Sequence, residues 1–497
     1  MNLMGNPGLI YDSEAVKTAV PEVGIAEAED PSDLHWGNSA RLRRVFRKRD
    51  GVALIVSSVV GVGIFITPAM IANLVPNPVA MLALWIVGGG LALAGAASYA
   101  KLANLWPTAG GEYVYLSKAY GPGAGFLSGW TSLIAGFSGS VAASAMAAVV
   151  FAGQYFPSLA SDQALASRDF LGVTITLSSR AAAAASIIAL FAVLHICSLA
   201  AGKITQNALA LLLVGMVVVF VGRGFAIGNG SWSNFHSSGI HFGKMNWLLA
   251  LIPVMFTYSG WNAAAYVSEE IHASRRSMKP VLLVGTSLVI VLYMALNALY
   301  IYAIPAAKMQ TASNVADAAA HALFGASSQL VTPALIVALL GAVSAMTIVG
   351  PRVYFAMARD GAFIPALGRT SPRFGTPALA IALQAAWSVA LVMLGGFDQI
   401  LMYTGFAIVL SSAAAVAGLF VVQHTRKQTV PLRRTQLVVP GIFVLASGAM
   451  VIDTVLEAPK IALIGLMLIA AGIPVYALCR KRRSTRLALQ PEEAAGD

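Results

Sequence analysis

The sequence Ser-Ser-Val-Val-Gly-Val-Gly-Ile-Phe, residues 57–65, decides the fold and lies in the middle of a segment apolar enough to cross a membrane. Gly61 and Gly63 flank Val62 at its centre, and Pro68 follows within about a turn and a half. Backbone groups left unsatisfied in hydrocarbon cost several kcal/mol each unless they face protein or a water-filled cavity. We therefore predict that this helix is interrupted in order to hold a ligand.

The composition is that of a polytopic membrane protein. Of 497 residues, 58% are hydrophobic and 11% are charged, and the mean hydropathy is +0.76, whereas soluble proteins carry about 25% charged residues. The net charge of +11 does not predict a nucleic-acid partner, because the cations lie in short loops beside apolar segments. Cys197 and Cys479 lie in different segments and indicate neither a disulfide framework nor a metal site.

The apolar pattern predicts an all-α polytopic membrane protein with 12 transmembrane helices. Its longest loops, near 156–180 and 227–246, are too short for a soluble domain, so the function must reside in the membrane bundle. The third span exceeds one crossing, which a tilted or protruding helix explains. The predicted spans are 51–75, 80–104, 121–155, 181–200, 204–226, 247–270, 280–304, 328–357, 376–395, 399–422, 436–456 and 461–479.

The remaining divisions follow from these spans. Residues 1–40 lack the short apolar core of a signal peptide and are predicted to be a disordered cytoplasmic tail. Residues 41–425 are predicted to form a core of ten helices, 426–480 to hold helices 11 and 12, and 481–497 to form a second cytoplasmic tail. With both termini inside, 26 of the 32 lysines and arginines fall on the inner side, which predicts that orientation in the cytoplasmic membrane.

A second interrupted segment follows five spans after the first. The centre of span 6, residues 256–262, reads Phe-Thr-Tyr-Ser-Gly-Trp-Asn. Secondary transporters often contain inverted repeats whose discontinuous helices hold the substrate at the midplane. The spacing therefore predicts a five-plus-five inverted repeat with helices 1 and 6 discontinuous, followed by two C-terminal helices. The alternative is that these glycines only allow close helix packing.

Several motifs resemble the amino acid–polyamine–organocation (APC) superfamily, most of all its L-type amino acid transporter branch. They run in family order from about residue 50 to 425. The motifs are Gly61-Val62-Gly63-Ile64-Phe65, Pro107 to Tyr115, Tyr120-Gly121-Pro122, Gly125 to Trp130, Tyr258-Ser259-Gly260-Trp261-Asn262, Ser268-Glu269-Glu270-Ile271, and Arg352 with Ala358-Arg359-Asp360-Gly361. The resemblance implies a permease fold and transport of amino acids or related amines.

The two breaks together predict a receptor for a zwitterion. The N–H groups near Val62 to Ile64 carry partial positive charge and suit a carboxylate, while the carbonyls near Phe256, Tyr258 and Ser259 suit an ammonium group. The resemblance makes Phe256 an aromatic gate, with packing as the alternative; Trp261 either lines the pocket or packs. The candidate substrate-binding residues are Ser57, Ser58, Gly61, Val62, Gly63, Ile64, Phe256, Tyr258, Ser259, Gly260 and Trp261.

Charged residues near the inner ends of the spans are candidate gates. Glu269 and Glu270 either form ion pairs that close an inner gate, with Arg352 or Lys101 as partner, or belong to a solvated helix end. Glu112 belongs either to that gate or to the surface. We expect His195 to make structural hydrogen bonds rather than carry protons.

The coupling ion stays open between H⁺ and Na⁺, and no cofactor is expected. Several branches of the family carry a lysine in helix 5, but here that position is Leu213 or an apolar neighbour, and Val62 replaces the serine between the first-helix glycines. Ser344 and Thr347 are candidate Na⁺ ligands, with back-bonding to their own helix as the alternative.

These patterns predict a secondary active transporter, permease or exchanger, that moves amino acids by alternating access. We expect no enzyme, since zinc-ligand spacing, a nucleophile elbow and a P-loop are absent from the sequence. The expected partners are an amino acid substrate and the lipid bilayer; the oligomeric state is left open. The alternatives are a polyamine or other organic-amine permease of the same fold and a non-transporting membrane sensor.

Overall fold

The structure, a computed structural model, describes residues 42–170, 173–236, 246–325, 331–394, 397–425 and 433–488. The predicted tail 1–40 and residues 489–497 of the second predicted tail lie outside the described residues.

Helices make up nearly all of the described chain, and each predicted span coincides with one helix or with consecutive helices. The helices are α1 Lys48–Val59, α2 Gly63–Leu74, α3 Pro78–Leu105, α4 Glu112–Tyr120, α5 Pro122–Thr131, α6 Phe137–Ala152, α7 Ser179–Cys197, α8 Leu199–Ile227, α9 Trp247–Tyr258, α10 Ala263–Tyr266, α11 Ser274–Ala303, α12 Ala306–Met309, α13 Val315–Phe324, α14 Val331–Arg359, α15 Ala378–Leu394, α16 Phe397–Thr425, α17 Arg434–Glu457, α18 Pro459–Ala470 and α19 Gly472–Ala488.

The polytopic membrane architecture is confirmed, whereas the number of spans stays a prediction. Within the described ranges, nine helical stretches are long and apolar enough to cross a membrane, and the bent pair α1–α2 makes a tenth. Helices α9 and α15 are apolar but shorter. Helices α5 and α6, joined by a π-helical turn at Ser132–Gly136, form one stretch of 31 residues, about 46 Å at 1.5 Å per residue, which accounts for the long third span.

A β-hairpin is the exception to the all-α prediction. Strands β1, Ala164–Phe170, and β2, Val173–Ser178, pair antiparallel, with Ser167 opposite Thr176. The alternation in Thr174-Ile175-Thr176-Leu177 is the period-two pattern of a strand. The hairpin lies in the loop between α6 and α7, so the helical description holds for the bundle.

One hydroxyl ties both interrupted helices to the bundle. The Tyr293 hydroxyl of α11 lies 2.8 Å from the Val59 carbonyl at the end of α1 and 3.1 Å from the Thr257 carbonyl near the end of α9. Carbonyls near a helix C-terminus have no intrahelical donor, and a neighbouring helix can supply one inside a membrane. Tyr293 is fully buried, so water does not substitute for it.

We predict that Tyr293→Phe lowers the Tm of the purified protein in detergent. The change removes the O–H donor from two buried carbonyls, a loss of about 1–3 kcal/mol. The matched control is Tyr300→Phe on the same helix, because the Tyr300 hydroxyl is buried without a hydrogen-bond partner. Equal Tm values for the two variants would contradict the bridging role of Tyr293.

Candidate functional site

The first break separates α1 from α2, whose axes differ by 48°. The Gly61 N–H donates to the Val59 carbonyl (2.9 Å), which turns the chain out of the helix. A Cβ placed on Gly61 meets nothing within 4 Å, so this residue faces open space. The Phe65 N–H donates to the Val62 carbonyl (3.1 Å), whereas the N–H groups before it, at the start of α2, have no acceptor within the helix and carry partial positive charge.

The second break lies between α9 and α10 and touches the first. The Ser259 N–H donates to the Phe256 carbonyl (2.9 Å), and Gly260 has a φ of +106°. A Cβ on Gly260 lies 2.6 Å from the Ser58 carbonyl oxygen. Only glycine meets both demands, because a side chain is strained at this φ and collides with the α1 backbone. The two interrupted helices therefore meet backbone to backbone.

Gly63 has a different role from Gly61. A Cβ on Gly63 lies 2.9 Å from Thr257 Oγ1, so this glycine allows α2 to pack closely on α9. At the same contact between α2 and α9, Thr67 Oγ1 and Thr257 Oγ1 lie 2.8 Å apart and share a hydrogen bond. The packing alternative for these glycines thus describes Gly63, while Gly61 remains open to a ligand.

A cavity of about 30 Å³ lies beside the second break, between α9, α16 and α17. A buried water needs about 10–15 Å³, so the cavity has room for about two waters and is too small for an amino acid. Within the described chain, the first break contributes nothing to its walls. Lining residues include Phe256, Ser259, Trp261, Asn262, Ser412 and Ser447, none of them charged.

The aromatic candidates divide between the cavity and the packing around it. Phe256 lies at the cavity wall next to Gly405 of α16. Trp261 borders the cavity and also packs edge-on against Tyr99, with ring centroids 4.8 Å apart. The Tyr258 side chain points away, since its hydroxyl donates to the Trp85 carbonyl (3.2 Å), so only its backbone is left for the substrate.

Two serines of α1 carry unused hydroxyls. Ser57 and Ser58 are buried, and the structure gives neither Oγ a hydrogen-bond partner. A buried hydroxyl without a partner is unfavourable by roughly 1–3 kcal/mol. Both therefore have hydrogen-bonding capacity left for a ligand, while Ile64 is fully buried apolar packing.

Two of the candidate gate glutamates form ion pairs, Glu270 with the expected Arg352 and Glu269 with Arg359, which was not predicted as its partner. Arg352 donates to Glu270 through Nε to Oε1 (2.7 Å) and Nη2 to Oε2 (3.0 Å), a bidentate pair with both side chains at most 3% exposed. Arg359 Nη1 lies 2.9 Å from both carboxylate oxygens of Glu269. The solvated-end alternative is therefore wrong for Glu270. Lys101 is not the partner, since its Nζ donates to the Gln436 carbonyl.

Backbone contacts extend these pairs into a seal across the bundle. The Glu270 carbonyl accepts from the N–H groups of Val45 and Phe46 (2.9 and 3.0 Å), ahead of α1. The Glu269 carboxylate accepts from the Ala109 N–H (3.1 Å), ahead of α4. We call residues 42–46, 108–110 and 266–272, with Arg352 and Arg359, the ion-pair seal; it lies at the end of the bundle predicted to be cytoplasmic.

Glu112 is buried rather than at the surface, so the surface alternative is wrong. Its Oε1 accepts hydrogen bonds from Tyr99 Oη (2.6 Å), Ser412 Oγ (2.8 Å) and Asn262 Nδ2 (3.1 Å). Its side chain is only 4% exposed, and this burial raises the pKa of the Glu112 carboxyl. Sequence reasoning missed Asn262 and Ser412 as hydrogen-bond donors to Glu112. The signal that the sequence does offer is the Gly110-Gly111 pair before Glu112, because its φ values of +114° and +52° give α4 an unusual start.

The proposed sodium ligands have protein partners. Ser344 Oγ lies 3.0 Å from His195 Nε2, and Thr347 donates to the Val343 carbonyl of its own helix (2.7 Å). Leu213, at the lysine position of related branches, is buried and apolar. The sodium role stays a prediction, and we assign no transport step to it.

Comparison with known proteins agrees with this geometry. The family model described as "Amino acid permease" matches residues 51–477. The serine/threonine exchanger SteT of Bacillus subtilis is 26% identical over 452 residues, covering 87% of this chain and 96% of its own. The human b(0,+)-type amino acid transporter 1 is 24% identical, covering 82% of each chain.

A further relative belongs to the L-type transporters. The large neutral amino acids transporter small subunit 2 of Oryctolagus cuniculus is 25% identical over 462 residues, covering 92% of this chain and 84% of its own. The family model spans both breaks, Glu269, Glu270 and Glu112. The chain belongs to the amino acid permease family of the APC superfamily, in its L-type-like branch.

Proposed function

We propose that this protein is a secondary active transporter that moves amino acids across the cytoplasmic membrane by alternating access around the two helix breaks. The observation that carries the proposal is the contact of Gly260 with the Ser58 carbonyl, because it brings the N-terminus of α2 and the C-terminus of α9 to one place. Like its family, it transports rather than catalyses a reaction.

Backbone groups supply the charge recognition. The substrate carboxylate binds at the N–H groups of residues 62–64, where the α2 dipole is positive. The ammonium group binds at the carbonyls of residues 256, 258 and 259, and the Ser57 and Ser58 hydroxyls add two hydrogen-bonding groups. Phe256 covers the site beside Gly405. A receptor of this kind is neutral overall and fits a zwitterion.

The ion-pair seal closes the predicted cytoplasmic side. Opening that side requires the Glu270–Arg352 and Glu269–Arg359 pairs to separate and become hydrated. We assign Glu112 to the same gate through its bond to Asn262, four residues before Tyr266 of the seal. The excess of basic residues on the inner side supports a cytoplasmic location for both termini, with residues 41–425 as the proposed transporting core and 426–480 as the two added helices.

A polyamine or other organic-amine permease is the second candidate function. A polycation requires acidic side chains, and the cavity lining described by the structure contains none. Relatives named as a serine/threonine exchanger and as transporters of large neutral amino acids also favour zwitterionic substrates.

Purified protein in liposomes loaded with an amino acid is expected to exchange it for labelled serine, threonine or leucine, with and without Na⁺ and a pH gradient. Liposomes without protein give the background. Uptake of putrescine with no uptake from a full amino acid panel, by protein shown to be folded, would reverse the order of the two candidates.

The two glycines of the first break are predicted to respond differently to leucine. Gly61→Leu keeps the wild-type Tm, because open space receives the side chain, but loses at least tenfold in exchange because the side chain occupies the ligand position. Gly63→Leu loses both Tm and exchange, because it collides with Thr257. Normal exchange by Gly61→Leu would rule out this placement of the site.

Glu270→Gln is predicted to lower both the Tm and the exchange rate. It leaves Arg352 buried without its charge partner, which costs about 3–5 kcal/mol. The matched control is Asp162→Asn, which breaks a pair with Arg180 whose acid is 62% exposed and which contributes about 1 kcal/mol or less. If both variants behave like the wild type, the buried pair does not hold the seal.

A further inference from the structure

Glu112 differs from the acids of the neighbouring seal because its partners are neutral. Glu269 and Glu270 each face an arginine, whereas the hydrogen bonds to Glu112 come from Tyr99, Ser412 and Asn262. Throughout the described chain, no lysine, arginine or histidine forms an ion pair with it. An isolated carboxylate in a dry site is strongly unfavourable, and such a group holds a proton instead.

The elements packed around Glu112 add only phenols as titratable groups. Tyr99 of α3 and Tyr266 of α10 face it, and Tyr115 lies on its own helix. Helix α16 contributes the Ser412 hydroxyl. The nearby cations of α14, Arg352 and Arg359, are engaged by Glu270 and Glu269. Glu112 is therefore the acid of this region whose charge is not compensated.

The same side chain connects the substrate cavity to the seal. Asn262 and Ser412, two of its donors, line the cavity. On the other side, the Gly110 N–H, two residues before Glu112, donates to the Tyr266 carbonyl within the seal (3.1 Å). The Glu112 carboxyl therefore lies between the cavity and the seal.

We propose that Glu112 is a proton-binding residue of the transport cycle, protonated while the ion-pair seal is closed and deprotonated when the seal opens to water. Because it concerns the opening of the seal during transport, this inference rests on the proposed function. Opening releases one proton from the Glu112 carboxyl to the solvent on that side, and closure takes one up. Asn262 and Ser412 transmit the change to the cavity, so that proton binding and amino acid binding are linked.

The sign of the pH effect follows from burial. Desolvation raises the pKa of Glu112 in the closed state, while hydration in the open state returns it toward the ordinary value of about 4.3. The closed state therefore binds more protons and is favoured at low pH. This stabilisation of the closed state is complete below the open-state pKa of Glu112 and is lost as the pH rises through the higher, closed-state pKa. Opening, and with it exchange, is slower in acid.

The test measures exchange of a zwitterionic amino acid in liposomes at symmetric pH, from about 4.5 upward. The wild type is expected to gain up to tenfold in rate per pH unit through the transition, as for one proton. Glu112→Gln, which mimics the protonated acid, is expected to be flat with pH and as slow as the wild type in acid. A Glu112→Gln profile that follows the wild type would overturn the proposal, as would a flat wild-type profile.

Tyr99→Phe supplies a second measurement, the pH midpoint of exchange, which would not change if Glu112 had only a structural role. It keeps the carboxyl but removes a hydrogen bond that favours the charged form, so the midpoint of the wild-type transition is expected to shift to higher pH. An unchanged midpoint in folded Tyr99→Phe protein counts against Glu112 as the titrating group.

An infrared titration separates this proposal from the proposed function. The C=O stretch of a protonated carboxylic acid is expected to grow in the wild type as the pH is lowered and to be weaker in Glu112→Gln, whether or not exchange occurs. Absence of exchange at every pH contradicts the transporter proposal alone. Identical infrared spectra of the two proteins overturn the proton site alone.

Discussion

The approach of Gly260 to the Ser58 carbonyl is the contact on which the rest of the structure depends. It brings two interrupted helices together backbone to backbone, which a bilayer tolerates only where neighbours satisfy the freed polar groups. Tyr293 does so for two carbonyls, and Thr257 packs beneath Gly63. The N–H groups of α2 that precede Phe65 and the hydroxyls of Ser57 and Ser58 are the groups that the proposed ligand would satisfy.

The cavity beside the second break and the ion-pair seal differ in the charged residues that they contain. The cavity beside the second break is lined by neutral residues, so the proposed recognition of a zwitterion assigns its charged ends to helix ends and hydroxyls. The seal instead holds two ion pairs, of which Glu270–Arg352 is buried and Glu269–Arg359 is partly exposed, and the proposed alternating access requires both to separate. Glu112 stands between the two regions and has only neutral partners. Its protonation state is therefore coupled both to the water content of the seal and to the cavity wall.

Much of this arrangement was predictable from the sequence because it is encoded locally. Glycines within apolar segments predicted both breaks, because a glycine that interrupts a membrane helix can be recognised from its immediate sequence neighbours. The sequence also offered Arg352 as a partner for Glu270, and the structure pairs the two residues. The positions of the helices followed from hydropathy.

Other features depend on contacts between distant segments. Ser412 lies 300 residues from Glu112, and a serine in an apolar helix carries no signal of such a partner. The distinct roles of Gly61 and Gly63 also emerge only from the packing of α2 on α9. Tyr258 lies in a motif of the resemblance, yet its side chain is committed to α3, because the helical phase at a break cannot be read from spacing alone.

The most direct test of the central claim compares competitors for labelled amino acid exchange that differ at one charged end. The parent amino acid, its methyl ester and its N-acetyl derivative share a side chain. If the helix ends at the two breaks bind carboxylate and ammonium separately, the parent competes while the ester and the N-acetyl derivative each fail to do so. Equal competition by the ester or the N-acetyl derivative would contradict a zwitterion receptor built from the two broken helices.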